Sequence, residues 1–219
     1  MEAHLATGRP VYFGVAFHGH FQLRSTDEAF TPIPRLRAIE EHALECCSGR
    51  ILDVGAGSGR HSLLLRERGL ETLPIDSEPR CVSIMAVRGL HDAQCLDVFD
   101  LSTERFDTIL ILQQSVGFVG SLSRLVDFLS HIARLLNPGG QILVDFMVSY
   151  AHARGPGYPG MVEVQLRYDR TVGPTFPWLY VDVDTLSLCA RYSGLTTELL
   201  LQGPSRYDYL ARLVQPTGA

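Results

Sequence analysis

The stretch Ile51-Leu52-Asp53-Val54-Gly55-Ala56-Gly57-Ser58-Gly59 reads as a buried strand running into a glycine-rich turn that opens a helix. Lacking a Cβ, glycine lets the backbone turn tightly and approach a ligand closely, and the first amides of a helix are donors without intrahelical partners. The combination suits a nucleoside-bearing ligand held by Asp53, Gly55, Ala56, Gly57 and Gly59. Asp53 has two readings, as a brace accepting backbone N–H groups of the turn and as a contact to the ligand. About 20 residues further on, Asp76 closes a second β-rich run, the spacing at which a carboxylate meets ribose hydroxyls. The glycine pattern is G-x-G-x-G, with Arg60 standing where a dinucleotide dehydrogenase places its third glycine, and no Lys-Ser/Thr pair follows as in a P-loop. Nicotinamide chemistry and nucleoside triphosphate hydrolysis both lose support. Gln113, at the end of the most hydrophobic run in the chain, is a further candidate for the same ligand.

Positioning these residues requires alternating elements. From residue 50 onward short β-rich runs alternate with helical patterns, as in crossover units on a parallel sheet. The reading gives strands at 50–54, 71–75, 93–96, 106–112, 141–146, 195–202 and 207–214, and helices at 62–68, 79–88, 122–136 and 182–192. Asn137-Pro138-Gly139-Gly140 is expected to break the third of these helices sharply before the fifth strand. The fold class is therefore α/β, a Rossmann-like doubly wound sheet of about seven strands, mostly parallel with an antiparallel last strand, and helices on both faces. Residues 150–178 are rich in Gly and Pro but hold one alternating run at 161–168, which suggests an added hairpin or flap on the ligand side. The organisation expected is one domain over 1–219, with an N-terminal lid and a helix at 33–47 within 1–49. A cofactor core at 50–146, a substrate-side insertion at 147–181 and a closing helix with two strands at 182–219 follow.

With these motifs in place the chain resembles a class I S-adenosylmethionine-dependent methyltransferase, strongly over 50–146. Leu52-Asp53-Val54-Gly55-Ala56-Gly57-Ser58-Gly59 resembles that family's first motif, and Pro74-Ile75-Asp76-Ser77 its ribose-binding strand end. Cys95-Leu96-Asp97-Val98 resembles the adenine-contacting turn. Phe106-Asp107-Thr108-Ile109-Leu110 is similar to the fourth strand, and Leu135-Leu136-Asn137-Pro138-Gly139-Gly140 to the loop before the fifth. The resemblance implies S-adenosyl-L-methionine as cofactor, S-adenosyl-L-homocysteine as product, and Ser77, Asp97 and Val98 as further cofactor-binding residues. Trp178-Leu179-Tyr180-Val181-Asp182 and the run Tyr207-Asp208-Tyr209-Leu210-Ala211-Arg212-Leu213 resemble bacterial methyltransferases of small molecules, a looser match that implies a place in natural-product or secondary metabolism. After the fourth strand Gln113-Gln114-Ser115-Val116-Gly117 replaces the Asn/Asp-Pro-Pro-Tyr sequence that serves methylation of amide or adenine nitrogens.

The acceptor should bind beyond the carboxyl ends of the strands. Ser115, Asp145 and the insertion up to Tyr180 fall there. His18 and His20 flank Gly19 and would point the same way on an extended strand, which makes them candidates for a base; with Ser115 they form the expected catalytic set. Tyr12, Phe17, Trp178 and Tyr180 are the expected substrate-binding aromatics, and with Phe13 they suggest a lid, although aromatics at this density also simply pack. Arg24 and Arg154 supply cations for an anionic substrate, solvated surface charge being their plainer reading.

Composition narrows the partners. The 219 residues carry a net charge of -5, which gives no broad basic field for a nucleic acid, and no apolar run reaches the roughly 20 residues that cross a bilayer. The N-terminus shows no signal-peptide pattern, and the five cysteines lack zinc-site spacing, so the expectation is a cytoplasmic monomer or homodimer with reduced thiols and no metal. Two rivals share the motifs: an enzyme that cyclises the aminobutyrate arm of the same cofactor, and a catalytically silent binding module.

Overall fold

The computed structural model describes residues 1–17, 20–30, 37–147, 157–204 and 207–216. The chain opens with α1 (Glu2–Thr7), the hairpin β1 (Tyr12–Phe17) and β2 (His20–Ser25), and α2 (Asp27–Phe30). Next come α3 (Ala38–Cys46), β3 (Ile51–Val54), α4 (Arg60–Glu67), β4 (Thr72–Asp76), α5 (Pro79–Val87) and β5 (Gln94–Cys95). β6 (Phe106–Ile111), α6 (Leu122–Ala133) and β7 (Leu136–Met147) complete the cofactor half, and β8 (Met161–Tyr168), β9 (Thr171–Leu179), α7 (Val183–Tyr192), β10 (Thr196–Gln202) and β11 (Asp208–Val214) follow.

The main sheet has seven strands in the order β10-β11-β7-β6-β3-β4-β5. Strands β3 to β7 pair in parallel, and β11 runs antiparallel to both β7 and β10, so the antiparallel last strand is where the sequence put it. Strand residues alternate between two cores, as the two-residue period demands. Leu52, Ile109, Ile111, Ile142 and Val144 pack on one face with Leu125, Phe128 and Ile132 of α6 and Leu186 of α7. Ile51, Leu110, Leu112 and Leu143 pack on the other with Ala43 and Leu44 of α3 and Leu64 and Leu65 of α4. The strand order reverses between β3 and β6, and that switch point is where an open α/β sheet leaves a crevice.

Four expectations are corrected. The helix after the glycine turn starts at Arg60 and not at 62, because Gly59 already has the left-handed φ of 75° that ends the turn. The Asn137-Pro138-Gly139-Gly140 segment lies within β7: α6 ends at Ala133, Leu136 already pairs with Phe106, and the irregular stretch is absorbed where Thr108 next pairs with Gln141. The N-terminal helix expected at 33–47 is Ala38–Cys46, with Arg37 and Cys47 as its extended caps and residues 33–36 outside the described residues, and α1 and α2 were not anticipated.

The fourth concerns the lid. The N-terminal hairpin and the insertion are not two flaps but one antiparallel sheet, β2-β1-β8-β9, closed by pairing of Gly14–Phe17 with Val164–Arg167. Sequence reading passed over β9 because Gly173, Pro174 and Pro177 look like loop; its place at the sheet edge is where proline is tolerated in a strand.

Candidate functional site

Two adjoining clefts meet at the carboxyl ends of the central strands. The first, about 240 Å³, is built at the switch point by Val54 and Gly55 of the glycine turn, Ile75, Asp76 and Ser77 at the end of β4, and Leu96, Asp97 and Val98 after β5. Ser115, Phe118 and Trp178 close it. Gly55 and Gly57 have φ of 69° and 58°, left-handed values that glycine adopts without strain, and they carry the tight turn past Ser115. Gly59 serves packing: a Cβ there would run into Leu90 and Met85.

The amides of the turn are not the free donors expected from the sequence. Gly55 and Ala56 N–H both donate to the Ile75 carbonyl at 3.0 Å, and Gly57 N–H donates to Asp76 Oδ2 at 2.9 Å. Asp76 also accepts from Glu78 N–H through Oδ1 at 2.9 Å and lies beside the Cys81 thiol, while its carboxylate lines the cleft. Asp97 caps a short 3-10 helix by accepting from Phe99 N–H at 3.0 Å. The buried Asp53 carboxylate accepts from the Ser62 hydroxyl at 2.7 Å, tying β3 to α4, and does not line the cleft. Burial pushes its pKa up.

These residues fit an adenosyl group. Apolar walls from Ile75, Leu96, Val98 and Phe118 suit a flat base, Asp76 presents acceptors for vicinal hydroxyls, and the glycine turn leaves room for a sulfur-bearing chain.

The second cleft, about 320 Å³, lies between the small sheet and the end of β6. Its apolar side is Phe13, Val15, Val164, Phe176, Trp178 and Tyr180; its polar side holds Gln22, Arg24, Glu28, Arg37, Gln113 and Gln114. Trp178 borders both clefts and packs on Gly117, where a Cβ would collide with the indole. Gln113 and Gln114 both have left-handed φ, 58° and 63°, a strained pair for residues with side chains.

A buried polar network fixes that pair. Gln114 N–H donates to Asp145 Oδ1 at 2.9 Å, and Gln113 Nε2 donates to Glu40 Oε1 at 3.2 Å. The same Glu40 carboxylate takes Arg37 Nε at 2.8 Å, His61 Nε2 at 2.9 Å and the Arg60 guanidinium. Burial alone would push the Glu40 carboxyl up, but the His61 hydrogen bond and the charges of Arg37 and Arg60 outweigh it and hold the group well below the usual carboxylate range. Asp145 is fully buried, and burial pushes its pKa up to about 6 against the opposing Arg37 guanidinium, whose Nη2 is 3.6 Å away.

The sequence-derived candidates therefore divide. Gly55, Asp76, Ser77, Asp97 and Val98 line the first cleft, joined there by Ser115, whose hydroxyl faces the Val54 carbonyl at 3.4 Å. Gln113 lines the second cleft and not the first; Trp178 and Tyr180 line it as well. Tyr12 is 58% exposed, Phe17 is packed in the small sheet's core, and Asp145 supports Gln114 from below without lining either cleft. β1 ends at Phe17 and His20 opens β2 opposite it, so one extended strand does not carry both histidines; His18 and the His20 side chain lie outside the described residues. Sequence reading missed Glu40, His61 and Arg37, whose partners are brought in from distant elements.

The fold and the first cleft define an α/β enzyme that takes an adenosyl cofactor at its switch point. A model of the methyltransferase domain matches residues 51–140. A solved S-adenosylmethionine-dependent methyltransferase from Bacteroides fragilis, in complex with S-adenosyl-L-homocysteine, is 32% identical over 97% of this chain and 91% of that chain, with a TM-score of 0.85. The chain thus belongs to the class I S-adenosylmethionine-dependent methyltransferases, and S-adenosylmethionine is its cofactor. The CcbJ methyltransferase of Streptomyces caelestis (16% identity, 85% and 98% of the two chains, TM-score 0.64) and the sugar N-methyltransferase KedS8 of Streptoalloteichus (17%, 81% and 85%, 0.59) share its fold. No curated protein matches the sequence.

Proposed function

We propose that this methyltransferase acts on a small molecule seated in the second cleft, under the four-stranded sheet. The observation that carries this reading is the adjacency of the two clefts across Trp178. One is furnished for an adenosyl group, and the other is a mixed apolar and polar cavity of about 320 Å³, within the range of small-molecule sites. Solved relatives of the same fold include a sugar N-methyltransferase and an amino pentose methyltransferase, both acting on small molecules.

When bound, S-adenosylmethionine supplies a methyl group already activated on sulfonium. The chain's own task is then alignment and exclusion of water. Asp76 would hold the ribose hydroxyls, and Asp97 and Val98 would lie beside the base. Trp178, braced on Gly117, forms the wall along which the acceptor lies, and the strained Gln113–Gln114 turn presents side-chain amides to it. Ser115, beside Gly55 in the first cleft, positions the reacting groups. His20 remains the proposed base for acceptors that must lose a proton, with His18 its neighbour in sequence.

A metabolite screen with the purified chain and S-adenosylmethionine tests the proposal. Acceptor-dependent release of S-adenosylhomocysteine is expected; methylthioadenosine in its place would indicate cyclisation of the cofactor, and methylation of proteins or nucleic acids alone would refute the small-molecule assignment.

A further inference from the structure

Resting on the reading of the second cleft as the acceptor site, we infer that the acceptor carries a carboxylate-type oxyanion held by Arg24 and the Tyr180 hydroxyl, with its apolar body against the aromatic wall. Three observations converge on this. Among the described residues the ionised groups lining the cleft are Arg24, Arg37 and Glu28, a cationic excess in a wall otherwise made largely of apolar side chains, where a charge is felt more strongly than in water.

Arg24 is the accessible member of that set. It projects from β2 with its side chain 33% exposed, and among the described residues its one ionic neighbour is Glu28, 3.7 Å away and itself 62% exposed. That separation exceeds hydrogen-bond length, and Glu28 sits on the four-residue helix α2, where water can solvate it. The planar guanidinium is built for bidentate pairing with an oxyanion. Arg37, deeper in the cleft, is tied to Glu40 and contributes charge and not a new hydrogen bond.

Tyr180 supplies the second donor. The residue is 8% exposed and lines the cleft, and among the described residues its hydroxyl has no hydrogen-bond partner while remaining open to the cleft, where an incoming ligand can accept from it. Burial pushes its pKa up while the Arg24 charge opposes, so the phenol remains a neutral donor within reach of the guanidinium's field. Phe13, Phe176 and Trp178 then receive the apolar body of the molecule, whose far end reaches Trp178 and the cofactor cleft.

Trp178 is the single tryptophan of the chain and borders both clefts, so its fluorescence reports occupancy of each. The test titrates the full chain, saturated with S-adenosylhomocysteine, with three probes of one shape and different charge: 4-hydroxyphenylacetate, 4-hydroxyphenylacetamide and tyramine. The anion is expected to bind at least tenfold more tightly than the amide, and tyramine most weakly. Arg24→Gln should bring anion and amide within about twofold of each other, while Arg24→Lys retains the preference, and neither should alter S-adenosylhomocysteine affinity. Equal affinities, a preference for tyramine, a preference that survives Arg24→Gln, or no binding of any probe to a chain that binds S-adenosylhomocysteine would each overturn the oxyanion assignment while leaving the methyltransferase reading intact. Failure of S-adenosylhomocysteine itself to bind would overturn both.

Discussion

The carboxylates around the clefts differ in protonation because their surroundings differ. Glu40, ringed by Arg37, Arg60 and His61, is stabilising above its ordinary titration range, and that stability is lost as the pH falls below about 4. Asp145 behaves oppositely. Its folded pKa is raised from 3.8 to about 6, so between those values the folded protein binds a proton that the unfolded chain has released, and stability falls as the pH rises. Replacing it by Asn keeps an acceptor for Gln114 N–H and removes the ionisation. Denaturant melts should therefore show the wild type losing about 2–3 kcal/mol relative to Asp145→Asn between pH 4 and pH 7. A difference that does not change with pH, or changes in the other sense, would place Asp145 in a more solvated setting than its burial indicates.

At the scale of elements, the glycine turn is held by packing as well as by its own hydrogen bonds. Gly59 combines a left-handed φ with close approach of Leu90 and Met85, so Gly59→Ala should cost about 2–4 kcal/mol and lower the melting temperature by about 5–15 °C. Calorimetric melting checks this, and an unchanged midpoint would mean that α5 yields freely. This turn was legible in the sequence because everything it needs is local: strand, glycines and helix lie within a dozen residues, and Asp76 follows one crossover later. The network that shapes the second cleft was not legible for the converse reason. Glu40 meets Gln113 across 73 positions and His61 across 21, and no period or spacing announces such a meeting. The union of the two aromatic segments into one sheet depends on pairing between β1 and β8 that alternation cannot specify.

The whole molecule is a cofactor sheet with an acceptor-covering sheet laid across its switch point, joined where Trp178 and Pro177 of β9 rest on Gly117 and Gly120. Among the described residues the two cores flanking the main sheet use none before Ile39, whereas β1 is an interior strand of the small sheet. Deleting residues 1–21 should thus abolish turnover and lower thermal stability, yet leave S-adenosylhomocysteine affinity within about tenfold, or about 1.4 kcal/mol. Undiminished turnover would show that the acceptor binds elsewhere. Among the described residues no helix is long and apolar enough to cross a membrane.

The central claim is that the first cleft holds the adenosyl group through Asp76, and isothermal calorimetry of S-adenosylhomocysteine with the wild type and Asp76→Ala tests it most directly. The wild type should bind with a dissociation constant in the micromolar range or tighter, about 8 kcal/mol, and NADH should not compete. Asp76→Ala should weaken binding by about 2–3 kcal/mol, because ribose hydroxyls lose a charged acceptor in a partly desolvated site. No heat with the wild type, or the same affinity in both proteins, would contradict the account.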